Sequence, residues 1–236
     1  MKALILNSGL GKRMGKYTEH NPKCMVSLKK DMTIVARQLM LLKKCGIDEV
    51  VMTTGPYAEL LEEHVRQNGK GMKIQFVNNP KYRETNYIYS IYLAKEFLHD
   101  ELILMHGDLV YEESVLQRII DEKNSCMAVS STVALPEKDF KAVIRDAKIM
   151  EVGIEYTENA LAAQPLYHLL QKDWMIWLNE IVKFCENGNT TCYAENAMNQ
   201  VSKEMNIFPF DYKDHICQEV DKEEDLLEVK QKLKFA

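Results

Sequence analysis

Leu4-Ile5-Leu6-Asn7-Ser8-Gly9-Leu10-Gly11-Lys12-Arg13-Met14-Gly15, followed by Asn21-Pro22-Lys23-Cys24-Met25, decides how this chain is read. A short apolar run enters a glycine-rich, doubly basic loop. Glycines let backbone N–H groups approach phosphate oxygens, and Arg13 and Lys23 add positive charge. Three kinds of phosphate loop compete. A P-loop requires Gly-x-x-x-x-Gly-Lys-[Ser/Thr], which does not occur. A dinucleotide fingerprint requires Gly-x-Gly-x-x-Gly; Gly9 and Gly11 satisfy it, but Met14 stands at the third glycine. The third pattern, Gly-x-Gly-x-Arg with a later Pro-Lys, is met by Gly9, Gly11, Arg13, Pro22 and Lys23. A plain strand-to-helix turn with surface lysines explains Gly9-x-Gly11 alone, but not the whole set in register.

Outward from this loop, the composition sets bounds. The chain has 236 residues, 46% apolar and 28% charged, as expected of a globular protein with a sizeable core. A net charge of −5 gives no global attraction to nucleic acid or to an anionic membrane, so an anion site has to be local. No apolar stretch reaches the length of a membrane span, and Leu4-Ile5-Leu6 is too short for a signal peptide. Cysteines at 24, 45, 126, 185, 192 and 217 form no C-x-x-C pair and read as reduced thiols in a cytoplasmic protein.

Strand and helix patterns alternate through the first half. Strands are expected at 2–6, 49–53, 72–77 and 102–105, and helices at 33–45, 57–67, 86–98 and 114–120. That alternation predicts an α/β fold, with a Rossmann-like, mostly parallel sheet flanked by helices. Beyond residue 125 short strand-like runs dominate: 127–134, 142–144, 148–153 and 161–167, with Arg145-Asp146-Ala147-Lys148 as a hairpin turn. Helices are expected next at 172–186 and 194–205, strands at 207–210 and 216–220, and a charged helix at 223–233. A single domain over 1–236 is expected: a nucleotide-binding core (1–125), a small β-rich and helical acceptor-binding elaboration (126–220) and a closing helix (221–236).

The fourth strand runs into His106-Gly107-Asp108. Ligands of open α/β sheets bind beyond the carboxyl ends of the strands, so Asp108 is expected in the same cleft as the first loop. A carboxylate there suits Mg²⁺, which takes one or two protein carboxylates plus phosphate oxygens; a helix N-cap or turn role is the alternative. Asp221, in Glu219-Val220-Asp221-Lys222-Glu223-Glu224, is the second candidate ligand, or else an N-cap paired with Glu224 in a capping box. His106 beside them is read as packing or hydrogen-bonding. Trp174 and Trp177, three apart on one helix face, read as core.

On these motifs the chain resembles the nucleotidyltransferases that join NTPs to phosphorylated small molecules. It is most similar to bacterial cytidylyltransferases of the CTP:phosphocholine type, including those for 2-aminoethylphosphonate. The resemblance covers nearly the whole chain. It is carried by Leu4 to Arg13, Pro22 to Val26, Asn78 to Tyr82, Glu84 to Ile91, His106 to Asp108, Lys138 to Ile144 and Glu219 to Asp221. Two departures stand out: Asn7-Ser8 replaces the family's two alanines, and Tyr87 replaces an asparagine. The resemblance implies a nucleotide-diphospho-sugar transferase type of fold and a Mg²⁺-dependent transfer of CMP from CTP to a small phosphorylated or phosphonated amino-alcohol, releasing pyrophosphate. It implies that Arg13 and Lys23 act on the phosphates and that Asp108 and Asp221 hold the metal. Leu6, Asn7, Ser8, Gly9, Gly11, Thr54, Gly55, Asn86 and Ser90 would bind nucleotide. Lys141, Tyr167, Tyr193 and Glu195 would bind the acceptor. An aromatic box for a quaternary ammonium and a carboxylate pocket for a primary one both remain open. A sugar-1-phosphate nucleotidyltransferase making an NDP-sugar is the alternative enzyme, and a non-catalytic nucleotide-binding module the alternative class.

Overall fold

A computed structural model describes residues 1–234. The chain opens with β1 (Lys2–Asn7), 3-10 turns over Lys12–Tyr17 and Lys23–Met25, and a small hairpin of β2 (Ser27–Lys29) and β3 (Met32–Thr33). There follow α1 (Ile34–Lys44), β4 (Glu49–Thr54), α2 (Ala58–Asn68), β5 (Lys73–Asn78), α3 (Tyr87–Ala94), β6 (Leu102–His106), β7 (Leu109–Tyr111) and α4 (Glu113–Ile120). The second half adds β8 (Cys126–Ser130), β9 (Lys141–Arg145), β10 (Lys148–Gly153), β11 (Ala160–Leu169), α5 (Gln171–Glu186), α6 (Ala194–Val201), β12 (Phe208–Asp211), β13 (Cys217–Glu219) and α7 (Glu223–Lys232). The expected closing segment 221–236 is described as far as 234, and positions 235 and 236 lie outside the described residues.

β1, whose Ala3 to Leu6 form a continuous apolar run, sits between β4 and β6, and the order β5-β4-β1-β6 is parallel throughout. Burial on both faces is what a continuous apolar strand requires. Ala3 and Ile5 pack into one apolar layer with Leu39, Leu42, Leu61 and Val115 of α1, α2 and α4. Leu4 and Leu6 pack into the other, with Ile88, Ile91, Trp174 and Trp177 of α3 and α5. The period of two along the strand thus feeds two helical layers. The tryptophans are core, as expected. Their rings meet edge to face at 5.6 Å, and their indole N–H groups donate to the carbonyls of Leu98 (2.6 Å) and Ala194 (2.9 Å).

The second half extends the same sheet. β11 runs antiparallel to β6 through Leu166 to Leu169, while its first residues pair with β9. Along its other edge lies β8, which carries β12 in parallel. Asp146 (φ 51) and Ala147 (φ 60) make the β9–β10 turn, both left-handed, as the twist of a two-residue hairpin demands. The run expected at 127–134 stops at Ser130, because the Ser130 hydroxyl accepts from the amides of Thr132 (3.2 Å) and Val133 (3.1 Å) and turns the chain out of the sheet. The helix expected over 194–205 likewise ends at Val201 and tightens into a 3-10 turn over Ser202–Glu204.

A separate two-stranded ribbon ties the far end of the chain to the end of β6. β13 pairs antiparallel with β7, Glu219 opposite Leu109, and the Val220 amide donates to the Asp108 carbonyl at 3.0 Å. All six cysteines are free thiols, and no helix among the described residues is long and apolar enough to cross a membrane.

Candidate active site

A cleft of about 370 Å³ opens at the carboxyl ends of β1 and β6. Its rim is the first loop. Gly11 lies at φ 61, where a Cβ would press on Lys23 Cβ at 3.1 Å and Thr18 Cγ2 at 3.2 Å, so the turn needs glycine. The Thr18 hydroxyl donates to the Gly11 carbonyl at 2.9 Å and closes the loop on itself. Pro22 then starts the 3-10 turn that carries Lys23 back beneath the loop.

Lys23 Nζ donates to Asp108 Oδ2 at 2.5 Å and to Asp221 Oδ1. Arg13 pairs with Asp221 Oδ2 at 2.8 Å from the solvent side. Burial pushes the Lys23 ammonium down, but Asp108 and Asp221 outweigh it and hold its pKa above the ordinary lysine value. For Asp108 burial works upward, yet Lys23 and then His106 keep the carboxyl below its usual range. Oxygens of both carboxylates converge on the one lysine nitrogen. Such an oxygen donor set fits a hard divalent cation that also binds phosphate oxygens. The competing N-cap role of Asp221 is not taken up: Asp225 Oδ2 accepts from the amides of Asp221 (2.8 Å) and Lys222 (2.9 Å), leaving the Asp221 carboxylate free to face the cleft. The alternative capping box of Asp221 and Glu224 is not formed; Asp225 caps the start of α7 instead.

His106 has the hydrogen-bonding role expected of it. Its Nδ1 lies 2.9 Å from Glu219 Oε1, and its ring stands edge-on to Tyr87 at 4.8 Å. Burial, followed by the charge of Asp108, raises the Glu219 carboxyl above its normal pKa, with His106 opposing. Tyr87, Tyr193 and Phe140 continue as an aromatic wall, with Tyr87 to Tyr193 at 5.9 Å and Tyr193 to Phe140 at 5.2 Å.

Of the residues expected to touch ligand, Leu6, Asn7, Ser8, Gly9, Gly11, Arg13, Lys23, Asn86, Asp108, Tyr193 and Asp221 line the cleft. The Asn86 side-chain oxygen is engaged as the N-cap of α3, accepting from the Tyr87 amide at 2.7 Å. Six others, expected to contact ligand, do not line the cleft. Ser90 is fully buried and bonded to the Ser8 hydroxyl at 2.6 Å, so it braces the loop from beneath. Thr54 is fully buried and accepts from Asn78. Gly55 lets β4 end against the loop, since a Cβ there would stand 2.5 Å from the Ser8 carbonyl oxygen. Lys141 is buried and its ammonium donates to the carbonyls of Ile154 (2.5 Å) and Glu137 (3.3 Å), strapping the 131–140 loop to β10 rather than reaching an acceptor. Glu195 is buried and accepts from the hydroxyls of Tyr167 (2.8 Å) and Tyr87, so Tyr167 and Glu195 together set the tilt of Tyr87. Burial, then the Glu195 charge, holds both phenols protonated well above the ordinary tyrosine value.

Glu219, Asp139, Tyr82 and Ile154 also line the cleft and were not anticipated as site residues. Glu219 carried a signal: it lies two residues before Asp221, on a strand where alternate side chains share a face.

The family profile of the MobA-like NTP transferase domain matches residues 3–175. A CMP-5′-(3-aminopropyl)phosphonate synthase of Streptomyces rubellomurinus is 36% identical over 119 residues, covering 50% of this chain and 19% of that protein. A CTP:phosphoglutamine cytidylyltransferase of Campylobacter jejuni is 29% identical over 201 residues, covering 79% of this chain and 78% of that protein. The chain thus spans about a fifth of the first relative's length and about four fifths of the second's. Among solved structures, a CTP:phosphocholine cytidylyltransferase from Streptococcus pneumoniae superposes with a TM-score of 0.79 at 20% identity over 98% of both chains, a likeness of fold.

Proposed function

The chain belongs to the MobA-like NTP transferase domain family, and on that premise we propose that it transfers CMP from CTP to a small phosphorylated or phosphonated amine, with release of pyrophosphate. One observation carries this reading: Arg13, Lys23, Asp108 and Asp221, spread over nearly the whole chain, meet in one cleft at the ends of β1 and β6. Relatives named as cytidylyltransferases or CMP-phosphonate synthases support the choice of CTP and of the acceptor class.

The acceptor's phosphate or phosphonate oxygen is already an anion, so attack on the α-phosphorus needs no general base. The barrier is repulsion between anions together with misorientation. Asp108 and Asp221 would hold Mg²⁺, which supplies charge neutralisation across the triphosphate when bound. Arg13 and Lys23 supply fixed positive charge to the same oxygens, and the partly enclosed cleft strengthens it. The loop at Gly9 and Gly11 offers backbone N–H donors to the nucleotide. Holding both reactants in line contributes up to about 7–11 kcal/mol in well-aligned cases. The wall of Tyr87, Tyr193 and Phe140, with Asp139 and Glu219 nearby, suits the cationic end of the acceptor.

A pyrophosphate-release assay with CTP and Mg²⁺ against phosphocholine, phosphoethanolamine, 2-aminoethylphosphonate and sugar 1-phosphates tests the proposal. Turnover with an amine acceptor and not with sugar phosphates is expected. Lys23→Ala should lower kcat by ~10²-fold or more, the scale for one preorganised electrostatic donor. Release with sugar phosphates alone would move the chain to NDP-sugar synthesis.

A further inference from the structure

Gln38, in the middle of α1, is 1% exposed and does not line the cleft. Its side chain nevertheless ends on the turn that carries Asp108. Nε2 donates to the His106 carbonyl at 2.9 Å and to the Leu109 carbonyl at 2.8 Å. His106 is the last residue of β6 and Leu109 the first of β7. One amide nitrogen, with its two hydrogens, thus brackets Gly107 and Asp108. The opposite placing of the carboxamide would set an oxygen against two carbonyl oxygens, so the donors have to face the turn. Oε1 is left buried and without a partner among the described residues. An unmet buried acceptor is costly, so what this side chain contributes lies in its two donors.

The same turn is held from two other sides. The Gly107 amide donates to the Leu6 carbonyl at 3.0 Å, and the Asp108 carbonyl accepts from the Val220 amide at 3.0 Å. Here the parallel sheet hands over to the β7–β13 ribbon: His106 pairs with Leu6 in the sheet, and Leu109 with Glu219 in the ribbon. A clamp across that junction fixes the angle between sheet and ribbon. It thereby fixes where Asp108 stands relative to Asp221, which follows the ribbon by two residues. Arg37, its neighbour on α1, offers a contrast. It is 8% exposed, and its Nη1 donates to the Tyr111 carbonyl at 2.5 Å, at the other end of β7, where Tyr111 pairs with Cys217.

Resting on the reading of Asp108 and Asp221 as the pair that holds a divalent cation, we propose that Gln38 is a positioning residue for that cation. It touches neither the nucleotide nor the acceptor. It holds the β6–β7 turn so that the two carboxylates present their oxygens at the spacing the ion requires. Groups that orient metal ligands from behind are worth about 10–100-fold in metal affinity.

Paramagnetic resonance of free Mn²⁺, without nucleotide, tests this on wild type, Gln38→Met, Gln38→Asn and Arg37→Met, with the melting temperature of each recorded alongside. Gln38→Met keeps the length and loses both donors, so its Mn²⁺ affinity should fall about tenfold, the lower end of that range. Gln38→Asn keeps an amide but withdraws it by one methylene. A smaller loss in the same direction is expected, and this variant carries the test if Gln38→Met does not fold. Arg37→Met removes a buried clamp from the same helix and should lower Tm while binding Mn²⁺ within about twofold of wild type. Mn²⁺ binding by the folded Gln38 variants within about twofold of wild type overturns the proposal and leaves the proposed reaction standing. So does a loss in Arg37→Met as large as in Gln38→Met, because the clamp then acts only through stability. A wild-type protein that takes up no Mn²⁺ removes the metal from Asp108 and Asp221, and overturns this proposal together with that part of the mechanism.

Discussion

Lys23 occupies the position that two carboxylates prepare for a cation. Its side chain is 13% exposed and bridges Asp108 and Asp221, so two part-buried carboxylates lie close together because an opposite charge sits between them. A divalent ion entering the pair has to displace that ammonium, and the displaced group is then free to meet the phosphates. Lys23→Met should therefore bind Mn²⁺ about tenfold more tightly than wild type without nucleotide, since one competitor is gone, while losing turnover. Paramagnetic resonance of free Mn²⁺ reads the first effect; equal or weaker Mn²⁺ binding in the variant would show that the lysine does not compete. Arg13, Lys23 and Asp108 were legible because each follows a strand or glycine turn at a diagnostic spacing. The location of Glu195 was not, because what matters is its acceptance of hydroxyls from Tyr87 and Tyr167, 108 and 28 residues away. Lys141 misled for a similar reason: a lysine after an aspartate and an aromatic reads as a ligand anchor until the carbonyls of Glu137 and Ile154 are found around it.

At the scale of elements, the β7–β13 ribbon sets the distance between the two acids. Glu112, at the start of α4, clamps its outer end: Oε1 accepts from the Ile216 amide at 3.1 Å, and Oε2 lies 2.8 Å from His215 Nδ1. Burial raises the Glu112 carboxyl, but His215, Ile216 and Ser114 outweigh it and leave its pKa below the normal value. A depressed folded value means stability fully present above the unfolded pKa and lost as pH falls through the folded one. Chemical denaturation between neutral pH and pH values below the normal glutamate range should show this acid-side loss in wild type and less of it in Glu112→Gln; identical pH profiles would remove Glu112 from the ribbon's support. The strands of the parallel core were readable from apolar runs and their helical spacers. β7 was not: three residues next to a motif give no period to detect. The β2–β3 hairpin escaped for the same reason.

For the whole molecule, a net charge of −5 and a cleft that holds Lys23 and Arg13 are compatible because these two positive groups are local and already paired with carboxylates. Saturating ligand should stabilise the entire fold, since the cleft draws on residues from both halves of the chain. At a hundredfold excess over Kd, linkage contributes about 2.7 kcal/mol. For a domain of this size that is a rise in Tm of roughly 5–10 °C, which a thermal shift with CTP and Mg²⁺ would record. No rise at saturating CTP would mean that the nucleotide does not select the folded state. The sequence's alternation made the parallel half of the sheet readable, whereas its continuation through β11, β8 and β12 depends on one long strand changing partners midway, which local pattern does not encode. The reach from Lys23 to Asp221, 198 positions along the chain, has a temporal side as well. On the ribosome the parallel strands can assemble while the second acid is still unmade. On the proposed reaction, a product released before residue 221 should turn nothing over, however much of the sheet it has built.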